Sequence, residues 1–168
     1  MTALSLVIRP ETPDDCDAID RLHARAFGPG RYARTAFRLR EGAKHRADLS
    51  VTASVGSFLV GSVRMAPVTA GGVGFLALGP LAVDPSFSGR GVGTALMRAS
   101  LGAATEAGEG LVILVGDAPF YARFGFAPVP PGQLVLPGPV DPARFLALAL
   151  KPGFLATVHG PVSADRAG

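Results

Sequence analysis

Cysteine occurs once in this 168-residue chain, at Cys16, which excludes an internal disulfide and a cysteine-only metal cage. Lysine is nearly as scarce, present only at Lys44 and Lys151, so arginine carries the net charge of +3. That excess is too small to imply a nucleic-acid partner, although guanidinium groups suit phosphate recognition through their planar fork of donors. No apolar run approaches the roughly 18 residues of a membrane-spanning helix. The apolar start, Met1 to Ile8, lacks a basic region and a cleavage pattern and runs straight into Arg9-Pro10-Glu11. It reads as a first strand and not as a signal peptide. A lone cysteine without a leader fits a reducing cytoplasm. The three histidines have no metal-ligand spacing between them, so no metal is expected. What is present, 48% apolar and 17% charged residues, suits one folded domain over residues 1–162 with a loose tail at 163–168.

Thr12-Pro13-Asp14-Asp15 predicts a helix start, with a capping hydroxyl, a proline at the first turn and two acids at the positive end of the dipole. Cys16, Ile19, Leu22 and Ala26 fall on one face of that helix, which predicts Cys16 as a small buried hydrophobe. Gly28-Pro29-Gly30 ends it, and a basic helix follows from about Tyr32 to Glu41. Leu49–Val55, Phe58–Met65 and Gly74–Val83 read as antiparallel strands joined by the turns Gly56-Ser57 and Gly71-Gly72. Gly91–Ala107 has the apolar spacing of a helix, stopped by Gly108. The wholly apolar Leu111–Val115 then fits a parallel strand, completing a strand–helix–strand crossover. Ala118–Phe124 predicts a short helix. Pro128–Pro142 predicts an irregular excursion with at most a short strand at Leu134–Leu136. Phe145–Leu150 and Phe154–Val158 predict a closing strand pair.

The stretch Leu81-Ala82-Val83-Asp84-Pro85-Ser86-Phe87-Ser88-Gly89-Arg90-Gly91-Val92-Gly93-Thr94 runs from an apolar strand through a glycine-spaced loop into a helix. The first amides of a helix have no internal partners and favour an anion. Glycines at 89, 91 and 93 let backbone approach a phosphate, and Arg90 adds a charge. A P-loop would need a lysine before Thr94, and a dinucleotide fingerprint would need its third glycine one place later. Both patterns fail.

These residues resemble the GNAT superfamily of acyl-CoA-dependent N-acetyltransferases. Its loop runs Arg/Gln-x-x-Gly-x-Gly/Ala, and Ser88-Gly89-Arg90-Gly91-Val92-Gly93 aligns with it. Ser88 departs from the family's Arg or Gln, which leaves the backbone contacts of 89–94 untouched. Tyr121-Ala122-Arg123-Phe124-Gly125-Phe126 matches a second element, Tyr-x-x-x-Gly-Phe. The resemblance implies a single α/β domain of the α+β type: a mixed, mostly antiparallel sheet of about six or seven strands, helices on both faces and one βαβ crossover. It implies acetyl-CoA as co-substrate and a small-molecule or peptide amine as acceptor. Pantetheine would pair with a bulged strand, and Gly79-Pro80 suits such a bulge. The implied cofactor contacts are Leu81, Ala82, Val83, Ser88, Gly89, Arg90, Gly91, Val92, Gly93, Thr94, Tyr121 and Arg123. Homodimers are common in such families.

By the same resemblance, the Val83 backbone N–H stabilises the oxyanion, and Tyr121 faces the departing sulfur. Ordinary values of about 10 for tyrosine and 8.5 for a thiol make full proton transfer uphill by about 2 kcal/mol. Asp84 and Asp117 end the strands flanking the thioester and are the candidate bases, although Asp84 suits a turn before Pro85 and Asp117 a helix cap before Pro119. The run Arg31, Arg34, Arg38, Arg40, Lys44 and Arg46 reads first as a solvated face, and second as an acceptor-recognition surface. The alternative to an enzyme is a non-catalytic acyl-CoA-binding or sensing module, and Ser88 and the want of an obvious base keep it open.

Overall fold

In the computed structural model the described residues are 5–27 and 44–165. The predicted basic helix Tyr32–Glu41, the glycines 28 and 30, and residues 1–4 and 166–168 lie outside them. Strand β1 (Leu6–Pro10) leads into a 3-10 turn (Pro13–Asp15) and helix α1 (Cys16–Phe27). The helix start is closed by Asp15, whose carboxylate accepts from the Thr12 N–H at 2.8 Å and from two nitrogens of Arg9 at 2.7 Å each. Asp15, Ile19, Leu22 and His23 form the buried face. Cys16 lies a third of a turn away from Asp15 and is exposed, so it is not the buried hydrophobe that the spacing predicts.

Three strands follow in antiparallel order, β2 (Val51–Val55), β3 (Phe58–Ala70) and β4 (Val73–Val83). Helix α2 (Val92–Glu106) crosses to β5 (Leu111–Val115), which pairs parallel to β4. Helix α3 (Ala118–Ala122), β6 (Ala127–Pro128), β7 (Leu134–Val135), β8 (Phe145–Ala149), β9 (Gly160–Pro161) and β10 (Ser163–Ala164) complete the chain. The main sheet has the order β1-β2-β3-β4-β5-β8-β6, and β7 and β9 form a small second sheet. Strand β10 pairs with the end of β3 at Thr69 and Val68, so Ser163 and Ala164 are held in the sheet and do not belong to a loose tail.

Two layers cover the sheet. Leu76, Leu78, Val112 and Leu114 pack with Val92, Leu96 and Met97 of α2 on one face. The alternate residues Phe75, Ala77, Leu111 and Ile113 pack beneath the proline-rich excursion, through Leu134, Leu136 and Val158. Helix α1 closes the same side over Leu59 and Ala82. The predicted strand over Phe154–Val158 is instead a 3-10 turn at Leu155–Thr157. The Gln133 side-chain amide donates to the carbonyls of Leu155 at 2.6 Å and Val158 at 3.0 Å, which engages two carbonyls that a strand ladder would have used. The other member of the expected pair forms as β8, which lies between β5 and β6 instead of beside Phe154–Val158.

Candidate active site

Between Val63↔Leu81 and Met65↔Leu78 the β3–β4 register slips by one, because β4 holds an extra residue around Gly79-Pro80. This is the bulge expected from a glycine followed by a residue that cannot donate. Beyond it the Asp84 N–H donates to the Val60 carbonyl at 2.8 Å, and Ala82 lies opposite Ser62. Main-chain groups alternate along a strand, so Ala82 and Asp84 turn theirs to β3. Leu81 and Val83 turn theirs to the other side, where β5 has already left: β4 and β5 pair only at Leu76↔Val112 and Ala77↔Ile113. The parallel pair therefore opens into a notch at its carboxyl end, with outward main-chain groups along one wall. The Ala82 side chain is buried under α1.

At the rim of the notch, Gly89 and Gly91 have φ of 77° and 80°, which only glycine adopts without strain. Gly91 is the N-cap of α2, and no side chain caps the helix. Its first amides are directed out of the helix end, while Val92 is buried and anchors the turn. Ser88 and Arg90 are exposed, with the Arg90 guanidinium 5.5 Å from the Phe87 ring. Arg123, 29 positions after Thr94, donates to its hydroxyl at 3.1 Å. The same guanidinium lies 5.3 Å from the ring of Phe120 and 5.8 Å from that of Phe124. The two sequence elements thus meet at one cationic rim.

Tyr121 is half-buried on the opposite wall, its N–H donating to the Asp117 carbonyl at 3.1 Å. Its ring lies against Gly116, where an added Cβ would stand 2.3 Å from Cε2. Phe120 at 5.0 Å and Phe126 at 6.0 Å hold it edge-on. Burial pushes the phenol up to about 12, the negative charge of Asp117 adds to this, and Arg144 opposes it. Among the described residues its hydroxyl has no hydrogen-bond partner.

The two aspartates differ. Asp84 is buried, and its oxygens accept from the Ser86 N–H at 2.9 Å and from Arg25 at 3.0 Å. These contacts hold its carboxyl below the usual range, the Ser86 N–H foremost. Asp117 is at the N-cap of α3, but its side chain makes no cap hydrogen bond, contrary to the expectation that it ties off that helix. It is exposed.

Two features escape sequence reading. Arg144 bonds twice to Gly116: its carbonyl accepts the Gly116 N–H at 3.0 Å, and its Nε donates to the Gly116 carbonyl at 3.3 Å. No local motif marks it, because strand pairing alone brings it there. Glu11 is buried and accepts from Arg64 at 2.9 Å and from His45. Burial pushes its carboxyl up, but these two partners outweigh that and hold it below its ordinary value. No group of three or more metal-ligating side chains occurs among the described residues.

Comparison with known proteins gives a consistent assignment. The family model for an acetyltransferase (GNAT) domain matches residues 7–129. An uncharacterized N-acetyltransferase of Escherichia coli, YhbS, is 33% identical over 123 residues, covering 72% of this chain and 73% of the relative. The crystal structure of the Escherichia coli YhbS complex with CoA superposes with a TM-score of 0.82 at 30% identity, over 98% of this chain and 92% of that one. A GNAT acetyltransferase of Brucella melitensis in complex with acetyl-CoA gives 0.72 at 29% identity, over 98% and 99%.

Proposed function

The chain belongs to the GNAT acetyltransferase family, and we propose that it moves an acetyl group from acetyl-CoA to a primary amine by direct attack. The observation that carries this is the notch: outward main-chain groups of Leu81 and Val83 lie beside an uncapped helix start whose glycines present no side chain. Such a surface fits a chain that ends in a pyrophosphate. The amides of 89–94 with Arg90 and Arg123 would hold the phosphates, and Leu81 and Val83 would pair with the pantetheine amides. Acetyl-CoA supplies an acyl group activated as a thioester.

Each group then has a task. The Val83 N–H donates to the carbonyl oxygen as negative charge builds there. Tyr121 donates its hydroxyl hydrogen bond to the sulfur as the C–S bond breaks and the C–N bond forms. With the phenol near 12, handing the proton over completely to a thiolate would be uphill by about 5 kcal/mol. Tyr121 therefore stabilises the thiolate as a neutral donor, and solvent protonates the sulfur afterwards. Asp117, exposed and free of capping, is the better placed of the two aspartates to receive the amine proton, because each Asp84 oxygen is already engaged. The lone cysteine keeps the cytoplasm as the proposed compartment. Among the described residues no helix is long and apolar enough to cross a membrane.

The test is thiol release from acetyl-CoA across an amine panel, beside calorimetric binding of acetyl-CoA. Tyr121→Phe should lower kcat by about 100-fold while the acetyl-CoA affinity stays within about threefold. Unchanged turnover would remove Tyr121 from the mechanism. Binding with no thiol release from any amine would point instead to a sensing module.

A further inference from the structure

The part of the loop assigned to the phosphates is shaped from outside itself. Gly89 and Gly91 hold left-handed φ, and among the described residues the Gly89 and Arg90 amides donate no hydrogen bond. The bonds that set the loop's course lie upstream, at Asp84, which caps the 3-10 turn Pro85–Phe87. Its N–H donates to the Val60 carbonyl at 2.8 Å, and its carbonyl accepts from the Phe87 N–H at 2.8 Å. One carboxylate oxygen accepts from the Ser86 N–H at 2.9 Å. A buried carboxylate needs a partner charge, and this one comes from a different element. Arg25, in the last turn of α1, donates from Nε to the other oxygen at 3.0 Å. Helix α1 is seated on Leu59 and Ala82 by Ile19 and Leu22, so Arg25 arrives from a fixed platform.

The same guanidinium lies 5.6 Å from the Phe58 ring. Phe58 stands 6.4 Å from Phe87, and Phe87 in turn carries Arg90 at 5.5 Å. Arg25 therefore reaches the loop twice: through the carboxylate that starts its turn, and through the rings beneath Arg90. We infer that Arg25 is a positioning residue for acetyl-CoA binding, acting through Asp84 on where the 89–91 backbone and Arg90 stand. This rests on the reading of residues 89–94 as the phosphate cradle. A loop anchored beforehand loses less freedom when the cofactor binds. Arg25 thus acts on cofactor affinity and is remote from the thioester end, which is assigned to Leu81, Val83 and Tyr121.

The experiment is calorimetry of acetyl-CoA on the full chain, with a thermal melt of each variant. Arg25→Gln should raise Kd about tenfold, within the range for coupled residues of one network. Arg25→Lys should recover part of that loss, since its ammonium still pairs with Asp84 but cannot lie flat on Phe58. Asp84→Asn should raise Kd by a similar factor, and the double substitution should raise it no further. Asp15→Asn, at the other end of α1, is the control for simple loosening: it should lower Tm and leave Kd within about twofold. An unchanged Kd in folded Arg25→Gln would overturn the assignment. So would factors that multiply in the double variant, because Arg25 would then act on the anionic cofactor directly. An equal rise in Kd for Asp15→Asn would overturn it too, reducing Arg25 to a prop of α1. Should Arg25→Gln not fold, Arg25→Lys carries the test with an expected rise of about threefold, and an unchanged Kd there overturns it equally. No binding of acetyl-CoA by the unsubstituted chain would overturn the cofactor reading itself.

Discussion

Substituting alanine at Gly116 puts the assigned role of Tyr121 under direct test. The new Cβ would lie 2.3, 3.1 and 3.3 Å from three atoms of the Tyr121 ring. Carbon atoms settle at about 3.5–4.0 Å, so the ring has to retreat by more than 1 Å at its nearest atom. Phe120 and Phe126 stand on its flanks, which turns much of that motion into displacement of the hydroxyl. Misplacing a positioned group by about 1 Å costs on the order of 100-fold in rate. The stability effect is smaller. Overpacking costs about 1–3 kcal/mol, and replacing glycine where φ is not positive offsets about 0.4–1 kcal/mol of this through the unfolded chain. The net loss is therefore about 0–2.5 kcal/mol, a fall in Tm of up to roughly 8 °C. Steady-state thiol release, calorimetric acetyl-CoA binding and a thermal melt read all three quantities. The decisive comparison is the double substitution with Tyr121→Phe. If the ring is the target, Gly116→Ala adds little to the loss already caused by Tyr121→Phe. Full additivity, or normal turnover in a folded Gly116→Ala protein, would refute the placement.

Gly91→Trp should abolish acetyl-CoA binding while circular dichroism stays unchanged, because an indole would occupy the helix start; retained binding would move the phosphate site elsewhere. Asp84→Asn should cost about 1–3 kcal/mol of stability in urea titrations, with a smaller loss of kcat than Asp117→Asn; the reverse ranking of kcat would make Asp84 the base. The carboxyl of Asp15 is held down to about 2 by Arg9. A lowered carboxylate value means that its stabilisation is present above about pH 4 and lost as the pH falls toward 2. Allowing for the solvent exposure of Arg9, this is about 1–2 kcal/mol. Asp15→Asn should remove that share of the difference between unfolding free energies at pH 6 and pH 2.5, and an unchanged difference would discount the pair.

Much of this architecture is legible along the chain because its causes are local. Glycine turns at 56–57 and 71–72 set the β2–β3–β4 meander, and the apolar spacing of α2 and the apolar run of β5 disclose the crossover. Gly79-Pro80 announces the bulge because a residue without an N–H cannot stay in register. Local pattern failed where two solutions share one spacing. The positions 16, 19, 22 and 26 fit a helical stripe, but the 3-10 turn shifts the buried face to Asp15 and exposes Cys16. Phe154–Val158 reads as a strand until Gln133, from a different segment, engages its carbonyls.

The amino-acid order alone therefore disclosed the glycine-spaced loop and the bulged strand, since each depends on backbone chemistry within a few residues, whereas Tyr121 was singled out by the family resemblance. It could not choose between Asp84 and Asp117, because both precede a proline and both suit a turn. Tertiary packing sets them apart, by delivering Arg25 to Asp84 and leaving the Asp117 side chain without a cap hydrogen bond. Arg144 belongs to the same class. Its place beside Gly116 and Tyr121 follows from a strand pairing between residues 28 positions apart, and no local rule encodes which distant strand will fill that edge of the sheet.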